Sequence, residues 1–126
     1  MANWHPDSLI GDVFRTITSH TPLPTGMRSP LEWGAEERVR ELLGPSVRSL
    51  RLEPREFVWR FTSADHMLDY FQRWDGPTNV AFAALDDDAQ EALARNLLGV
   101  YVQHNSAGDA AMVAPSACVE VTAVKA

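Results

Sequence analysis

The chain has 126 residues, of which 45% are hydrophobic and 22% are charged, and its formal net charge is −6. These values are ordinary for one globular domain that is long enough to bury a core without disulfides or metal ions. The negative charge argues against a nucleic-acid binder, because phosphate contacts need clustered lysine and arginine. One local cluster of arginines is either a solvated surface or a patch for an anionic ligand or acidic partner. Its members are Arg38, Arg40, Arg48, Arg51, Arg55 and Arg60.

Cysteine usage and hydropathy set the expected compartment. Cys118 is the only cysteine, so the sequence predicts neither a disulfide framework nor a thiolate metal site. The first residues, MANWHPDSLI, contain no basic segment followed by a long apolar run, so we expect no signal peptide. No stretch approaches the ~18 apolar residues of a membrane span. We therefore expect a cytoplasmic protein without a membrane partner.

The first third of the chain predicts a strand tip, a helix and a loop. Met1–Trp4 is short and apolar and is typical of the tip of a strand. Pro6 is suited to the first position of a helix, which apolar residues at helical spacing extend to about His20. Gly11 inside that helix costs about 1 kcal/mol relative to alanine, which indicates that something approaches it closely. Residues 21–30 are rich in proline and predict a loop.

The middle of the chain predicts one helix and a sheet. Glu36–Leu43 has acidic residues at its start and an apolar face, as in a short helix. Pro54–Phe61 and Cys118–Lys125 alternate apolar and polar residues, which predicts two neighbouring antiparallel strands. Helices must then cover the aromatic face of the first strand. Val47–Leu52 is also strand-like, and the proline in Glu53-Pro54 predicts a bend or a position at a sheet edge.

A helix capped by Ser63 carries an aromatic stripe that allows two interpretations. Its members recur at positions i, i+3, i+4 and i+7, which fits either core packing or one wall of a ligand pocket. They are Met67, Tyr70, Phe71 and Trp74.

The acidic run Asp86–Asp88 is interpreted as the start of a helix and not as a metal site. The segment Asp75–Pro77 breaks the chain before it, and Val80–Leu85 predicts a further helical turn. Asp88 and Glu91 are spaced like a capping box, and the helix that follows extends to about residue 105.

Recognisable catalytic motifs are missing from the sequence. The seven glycines are nowhere closer than eight residues apart, which excludes a P-loop, a G-x-G-x-x-G turn and a nucleophile elbow. The four histidines share no metal-ligand spacing with one another or with Cys118. The sequence therefore predicts no metal site and identifies no catalytic residue.

Several phrases of the sequence, in their order and spacing, resemble the C-terminal half of a class I S-adenosylmethionine-dependent methyltransferase. The similarity is to small-molecule enzymes of the ubiquinone/menaquinone-biosynthesis type. The phrases are ANWHP (2–6), IGDVFRTI (10–17), SPLEWGAEERVRELLG (29–44), GPTNVAFAAL (76–85) and VAPSACVEVTAVK (113–125). Since these phrases span the chain, we expect residues 1–126 to form a single domain equivalent to that C-terminal half.

The resemblance implies a partial Rossmann-like α/β fold, in which helices pack on a short sheet that ends in an antiparallel strand pair. Met1–Trp4 would be the exit of the family's fifth strand. Pro54–Phe61 and Cys118–Lys125 would be its sixth and seventh strands. In such enzymes the last strand lies between the fifth and the sixth.

The resemblance also implies an apolar pocket for the methyl acceptor. The residues that would form its walls are Asn3, Trp4, Phe14, Trp33, Tyr70 and Trp74. Family members bind the cofactor with their N-terminal half, through a glycine-rich loop and an acidic residue that have no counterpart here. We therefore assign no cofactor-binding residue and expect the isolated chain not to bind S-adenosylmethionine.

Two functions follow as hypotheses. The first is the acceptor-binding half of a small-molecule methyltransferase, inactive alone. The alternative is a stand-alone, non-catalytic dimeric module that binds a hydrophobic small molecule or a partner protein. Because a sheet without its first strands has an unpaired edge, we expect either a homodimer or a second chain that supplies the missing N-terminal half.

Overall fold

A computed structural model describes all 126 residues as an α/β arrangement of five α-helices on a three-stranded antiparallel sheet. The strands are β1 (Ala2–Trp4), β2 (Val47–Phe61) and β3 (Met112–Lys125). Their order is β1-β3-β2, so β3 is central and pairs antiparallel with both neighbours. The predicted α/β class and the antiparallel C-terminal strand pair are confirmed.

The helices fill the intervals between the strands, and short 3₁₀ turns lie beside them. The α-helices are α1 (Leu9–His20), α2 (Glu36–Leu43), α3 (Ala64–Trp74), α4 (Gly76–Ala84) and α5 (Asp87–His104). The 3₁₀ turns are Pro30–Gly34, Gly44–Ser46 and Gly108–Ala110. None of these helices has both the length and the apolar character that crossing a membrane requires.

Side-chain caps determine where α1 and α3 begin. The Ser8 hydroxyl accepts a hydrogen bond from the Gly11 backbone N–H at 3.1 Å, so α1 begins at Leu9. The prediction that Pro6 occupies the first helical position is therefore wrong. Ser63 caps α3 as predicted.

The acidic run before α5 also acts as a cap, at a different residue from the one predicted. The Asp86 side chain accepts a hydrogen bond from the Ala89 N–H at 2.9 Å. Asp88 lies inside the first turn, so the predicted capping box of Asp88 and Glu91 is wrong. The whole chain contains no group of three or more side chains that could hold a metal ion.

The strand β2 runs through Pro54 without a break and lies at an edge of the sheet, which confirms the second of the two predicted alternatives, a bend or an edge position. Its register with β3 is continuous from Ser49 to Phe61, with Pro54 opposite Val119. Odd-numbered residues of β3 turn their backbone groups toward β1, as in the 2.9 Å bond from the His5 N–H to the Ala117 oxygen. The backbone of Pro54 therefore faces away from β3, toward the open edge of the sheet. The N–H that proline lacks is not needed there for a hydrogen bond to β3.

The buried face of β3 changes along its length. Met112, Ala114 and Ser116 are buried on the face that packs against α1, α3 and α5. Val119 and Val121 are buried on the opposite face, where they pack with Val39 of α2. The helices thus cover opposite faces at opposite ends of the two long strands.

Helices cover most of the predicted aromatic face of β2. The Trp59 ring lies 5.2 Å from the Phe71 ring of α3, measured between centroids, and the Phe61 ring lies 6.5 Å from it. Phe57, one step further along, remains 49% exposed. The expected cover is therefore present for two of the three aromatic residues.

The glycine in α1 marks a close approach, as predicted. A Cβ at position 11 would overlap the carbonyl oxygen of Pro6, so only glycine lets α1 pack against the segment that leaves β1. Gly34 has the same role, since a Cβ there would overlap the carbonyl oxygen of Trp4. By contrast, Gly99 in α5 faces open space.

Two glycine-to-alanine substitutions in helices should therefore change stability in opposite directions. We expect Gly11→Ala to lower the free energy of unfolding by about 1–3 kcal/mol, because overpacking forces the backbone to shift. We expect Gly99→Ala to raise it by about 0.5–1 kcal/mol, the usual helix gain over glycine. Urea denaturation of both variants measures the difference. A Gly11→Ala variant at least as stable as the wild type would contradict the close packing.

Candidate functional site

A cavity of about 210 Å³ lies where β1 ends, and we call it the β1–α1 cavity. Its walls come from β1, from α1, from the 3₁₀ turn at Pro30 and from the junction of α3 and α4. The apolar residues that line it are Trp4, Ile10, Val13, Phe14, Ile17, Pro30, Leu31, Phe71 and Pro77. Its two polar lining residues are Asn3 and Asp75.

The local sequence explains how α1 comes to form one wall. After Trp4, the His5 N–H still bonds to β3, and the chain then turns and is capped by Ser8. Because apolar residues recur at helical spacing in α1, Val13 and Ile17 lie on the same face and are buried in the core. Ile10 and Phe14, on the same side of the helix, stay partly exposed and line the cavity.

Asp75 is the single charged residue in the cavity wall, and its orientation is held by a cap. Its Oδ2 accepts hydrogen bonds from the N–H and the hydroxyl of Thr78, at 3.1 and 2.6 Å. Thr78 is fully buried. The other carboxylate oxygen, Oδ1, accepts no hydrogen bond from the protein. One carboxylate oxygen of Asp75 thus caps α4, and the other has no hydrogen-bond partner in the protein.

Three further polar atoms, in the cavity wall or on rings next to it, are buried without a hydrogen-bond partner. They are the Asn3 amide nitrogen, in the wall, the Trp59 indole nitrogen, on β2, and the Tyr101 hydroxyl, on α5. The Tyr101 ring is fully buried and lies 6.1 Å from the Phe71 ring. Burial raises the pKa of Tyr101 well above its usual range, and the nearby Asp75 carboxylate raises it further. Tyr101 is therefore a neutral hydroxyl at neutral pH.

An ion pair fixes α1 against α5 behind the cavity. The Asp12 carboxylate lies 2.6 Å from His104 Nε2 and 2.5 Å from the Arg15 guanidinium. Partial burial acts to raise the pKa of Asp12. The hydrogen bonds from His104 and Arg15, together with their charges, outweigh it and hold the pKa of Asp12 below its ordinary value.

The structure brings three of the six predicted pocket residues together. Asn3, Trp4 and Phe14 line the cavity. Trp33 lies in the same 3₁₀ turn as the lining residues Pro30 and Leu31, but it does not line the cavity and is 39% exposed.

Tyr70 and Trp74 also lie outside the cavity. Leu68, Met67 and Phe71 form the buried face of α3, which places Tyr70 at its margin against the Phe61 ring, with a centroid distance of 5.4 Å. Trp74, at the end of the helix, is 74% exposed. The predicted aromatic stripe is thus divided between core and surface.

Sequence reasoning missed the roles of Phe71 and Asp75 in the wall. Phe71 belongs to the aromatic stripe, but helical spacing alone does not tell which of its members faces the cavity. Asp75 belongs to the predicted chain break Asp75–Pro77. An aspartate followed two residues later by a proline is typical of the start of a helix, so its role as a cap could have been predicted from the residue types. Its position in the wall results from the packing of α3 and α4 and has no local signal.

Ion pairs neutralise most of the arginine cluster, which supports the interpretation as a solvated surface. Arg38, Arg40, Arg51 and Arg55 each lie within 3.6 Å of a carboxylate. Their acidic partners are Glu32, Glu36, Glu41, Glu53 and Glu120. Only Arg48 and Arg60 of the six have no ion pair.

No known protein-family model matches this chain. The chain is similar to the uncharacterized proteins Rv1405c of Mycobacterium tuberculosis and Mb1440c of Mycobacterium bovis. Each is 33% identical to it over 110 residues, which cover 84% of this chain and 40% of the relative. The chain therefore spans about 40% of the length of the curated relatives that it matches.

The pKa of Asp12 predicts an acid-sensitive contribution to stability. Because its folded pKa is lower than its unfolded value, the carboxylate stabilises the fold above pH 4, and this contribution is lost as the pH falls through the folded pKa. Thermal unfolding should show Asp12→Asn less stable than the wild type at neutral pH, with a smaller difference near pH 3.

The exposed Glu56, which has no ion pair, provides the control for Asp12. Glu56→Gln should leave stability nearly unchanged at both pH values. If the difference between the wild type and Asp12→Asn is constant over the acid range, the ion pair does not stabilise the packing of α1 on α5.

Proposed function

We propose that this chain is the acceptor-binding half of a class I S-adenosylmethionine-dependent small-molecule methyltransferase, inactive alone. The strand order supports this proposal most directly. The order β1-β3-β2, with an antiparallel central strand, is the order that the resemblance implies for the family's fifth, seventh and sixth strands. An apolar cavity at the exit of β1 fits the expected acceptor pocket.

The length of the relatives also supports the proposal. The matched region occupies only 40% of Rv1405c, so the larger part of that protein lies outside the region that this chain resembles. This division agrees with a chain that contains an acceptor pocket and no glycine-rich phosphate or ribose site.

The residues present here do not fit the cofactor. The strand-to-helix turn nearest the cavity is the one from β1 into α1. At the start of that helix the Gly11 N–H already donates a hydrogen bond to the Ser8 hydroxyl, so it is not free for a phosphate or ribose. The space beside Gly11 is filled by the Pro6 carbonyl and offers no open cradle. A cofactor site would have to come from another polypeptide segment.

The contribution of this chain would be to bind and orient the acceptor. S-adenosylmethionine would supply the methyl group, and holding the acceptor in line for transfer accounts for most of the rate in such displacements. Apolar walls from Trp4, Phe14 and Phe71 would exclude water, and Asn3 and Asp75 would fix the orientation of the acceptor.

One observation favours the alternative of a stand-alone binding module. Four parts of this one chain line the cavity, next to a core cluster of 13 buried residues from the same chain. A dimeric, non-catalytic protein that binds a hydrophobic small molecule or a partner protein would use the same cavity.

The open edge of β1 supports association with a second copy or with a chain that supplies the N-terminal half. Met1 and His5 bond to β3, so the backbone groups of Ala2, which lies between them, point away from it. The exposed Met1 side chain lies at this edge, and the exposed Phe57 ring of β2 lies 6.1 Å from the Trp4 ring of β1, measured between centroids. An unpaired edge with apolar neighbours is a common site of strand pairing.

Cofactor binding tests the methyltransferase proposal. Calorimetric titration with S-adenosylmethionine and S-adenosylhomocysteine should give no heat with this chain at millimolar ligand. A chimera in which this chain replaces the matched segment of Rv1405c should bind both with micromolar affinity. Failure of both the chimera and intact Rv1405c to bind would contradict the proposal. Binding by the isolated chain would contradict the statement that this chain lacks a cofactor site.

Association at the β1 edge is tested by a proline that removes only the outward N–H. We expect the isolated chain to self-associate, and Ala2→Pro to weaken this without breaking the bonds from β1 to β3. Ala2→Val keeps the N–H and is the matched control. Light scattering over a concentration series measures the association. A wild-type chain that is monomeric at every concentration rules out the homodimer.

A further inference from the structure

The β1–α1 cavity has an uneven distribution of charge. Asp75 is its only charged lining residue, and the remaining residues are apolar apart from Asn3. A carboxylate in an otherwise apolar wall attracts a bound positive charge and repels a negative one. The cavity should therefore favour a positive group and disfavour a negative one.

The start of α4, which would normally attract an anion, offers few free donors. Pro77 has no N–H, and the N–H of Thr78 is bonded to Asp75 Oδ2 at 3.1 Å. The positive end of the helix is thus already compensated by Asp75. What remains is an unpaired acceptor, Asp75 Oδ1, and a ligand with an N–H donor would complete its hydrogen bonding.

Aromatic rings supply the second element of a cation site. Trp4, Phe14 and Phe71 line the same cavity as Asp75. Aromatic rings attract ammonium groups electrostatically, most strongly where the site is desolvated.

The size of the cavity limits the ligand. Its volume of about 210 Å³ is below the ~300–1,000 Å³ that is usual for ligand pockets. A compact molecule fits this space, such as one ring or a short alkyl chain that carries a single polar group.

We propose that the β1–α1 cavity binds a small organic amine in its cationic form, with the ammonium group on Asp75 Oδ1 and the apolar body against Trp4, Phe14 and Phe71. This inference rests on the proposed function in one respect only: the ammonium compound would occupy the place of the methyl acceptor as its analogue, since a protonated nitrogen has no lone pair to attack a methyl group. Binding itself requires no other chain and no cofactor.

Three probes of nearly equal shape test the charge preference of the wild-type chain. Benzylamine, benzyl alcohol and benzoate differ mainly in the charge of one group, and titration calorimetry at one pH and ionic strength compares them. We expect benzylamine to bind about tenfold more tightly than benzyl alcohol, as a charge-assisted hydrogen bond is about twice as strong as a neutral one. Benzoate should not bind.

The variant Asp75→Asn removes the charge and keeps the helix cap, because asparagine caps helices as well as aspartate does. It should fold normally and bind benzylamine and benzyl alcohol with affinities within about twofold of each other. Asp86→Asn is the matched control, since Asp86 caps α5 in the same way and does not line the cavity. That variant should keep the wild-type preference.

Each outcome supports or overturns a defined statement. Equal affinity of the wild type for benzylamine and benzyl alcohol overturns the cation preference and leaves an apolar acceptor pocket. An unchanged preference in Asp75→Asn overturns the role of Asp75. If no probe binds, the cavity is not a ligand site, whatever the chimera shows with S-adenosylmethionine. If amines bind and neither the chimera nor intact Rv1405c binds S-adenosylmethionine, only the methyltransferase proposal is lost.

Discussion

The structure depends on the pairing of β3 with a strand on each side. This strand provides buried residues from both of its faces, first at Met112, Ala114 and Ser116, and then at Val119 and Val121. The change occurs at Ala117 and Cys118, where neither face is fully covered. A ribbon of two long strands has little stability alone. Helices are therefore needed on opposite faces at its two ends, and the connections of the chain supply them there.

The cavity follows from this arrangement. The strand β1 pairs with β3 at the point where the buried face changes, and α1 leaves it across the face already occupied by α3 and α5. Gly11 brings α1 close to the strand exit, and the ion pair of Asp12 with His104 holds its other side against α5. The packing of these elements leaves an unfilled space next to Trp4. A single junction between α3 and α4 then places the carboxylate of Asp75 in its wall.

The sequence predicted the elements whose signals are local. The α2 bounds, the Ser63 cap and the alternation in the second half of β3 are properties of neighbouring residues. The sequence did not predict the first half of β3, because two of its three inward residues, Ala114 and Ser116, are small and Pro115 interrupts the alternation. Helical spacing placed Tyr70 and Trp74 on the stripe but left the rotation of α3 undetermined. Asp75 lies in the cavity wall because of the way α3 and α4 pack. The sequence therefore predicted the break in the chain at Asp75 but not the place of its carboxylate in a site.

The close contact between Gly34 and the Trp4 carbonyl links the sheet edge to the cavity. The carbonyl of Trp4 points toward the open edge of β1, so the turn Pro30–Gly34 already covers that part of the edge. Any strand that extends its pairing as far as Trp4 must displace this turn, which also supplies Pro30 and Leu31 to the cavity wall. If a ligand occupied the cavity and a strand added at this edge, the two events would compete for the same turn, and each would change the affinity for the other by the same factor.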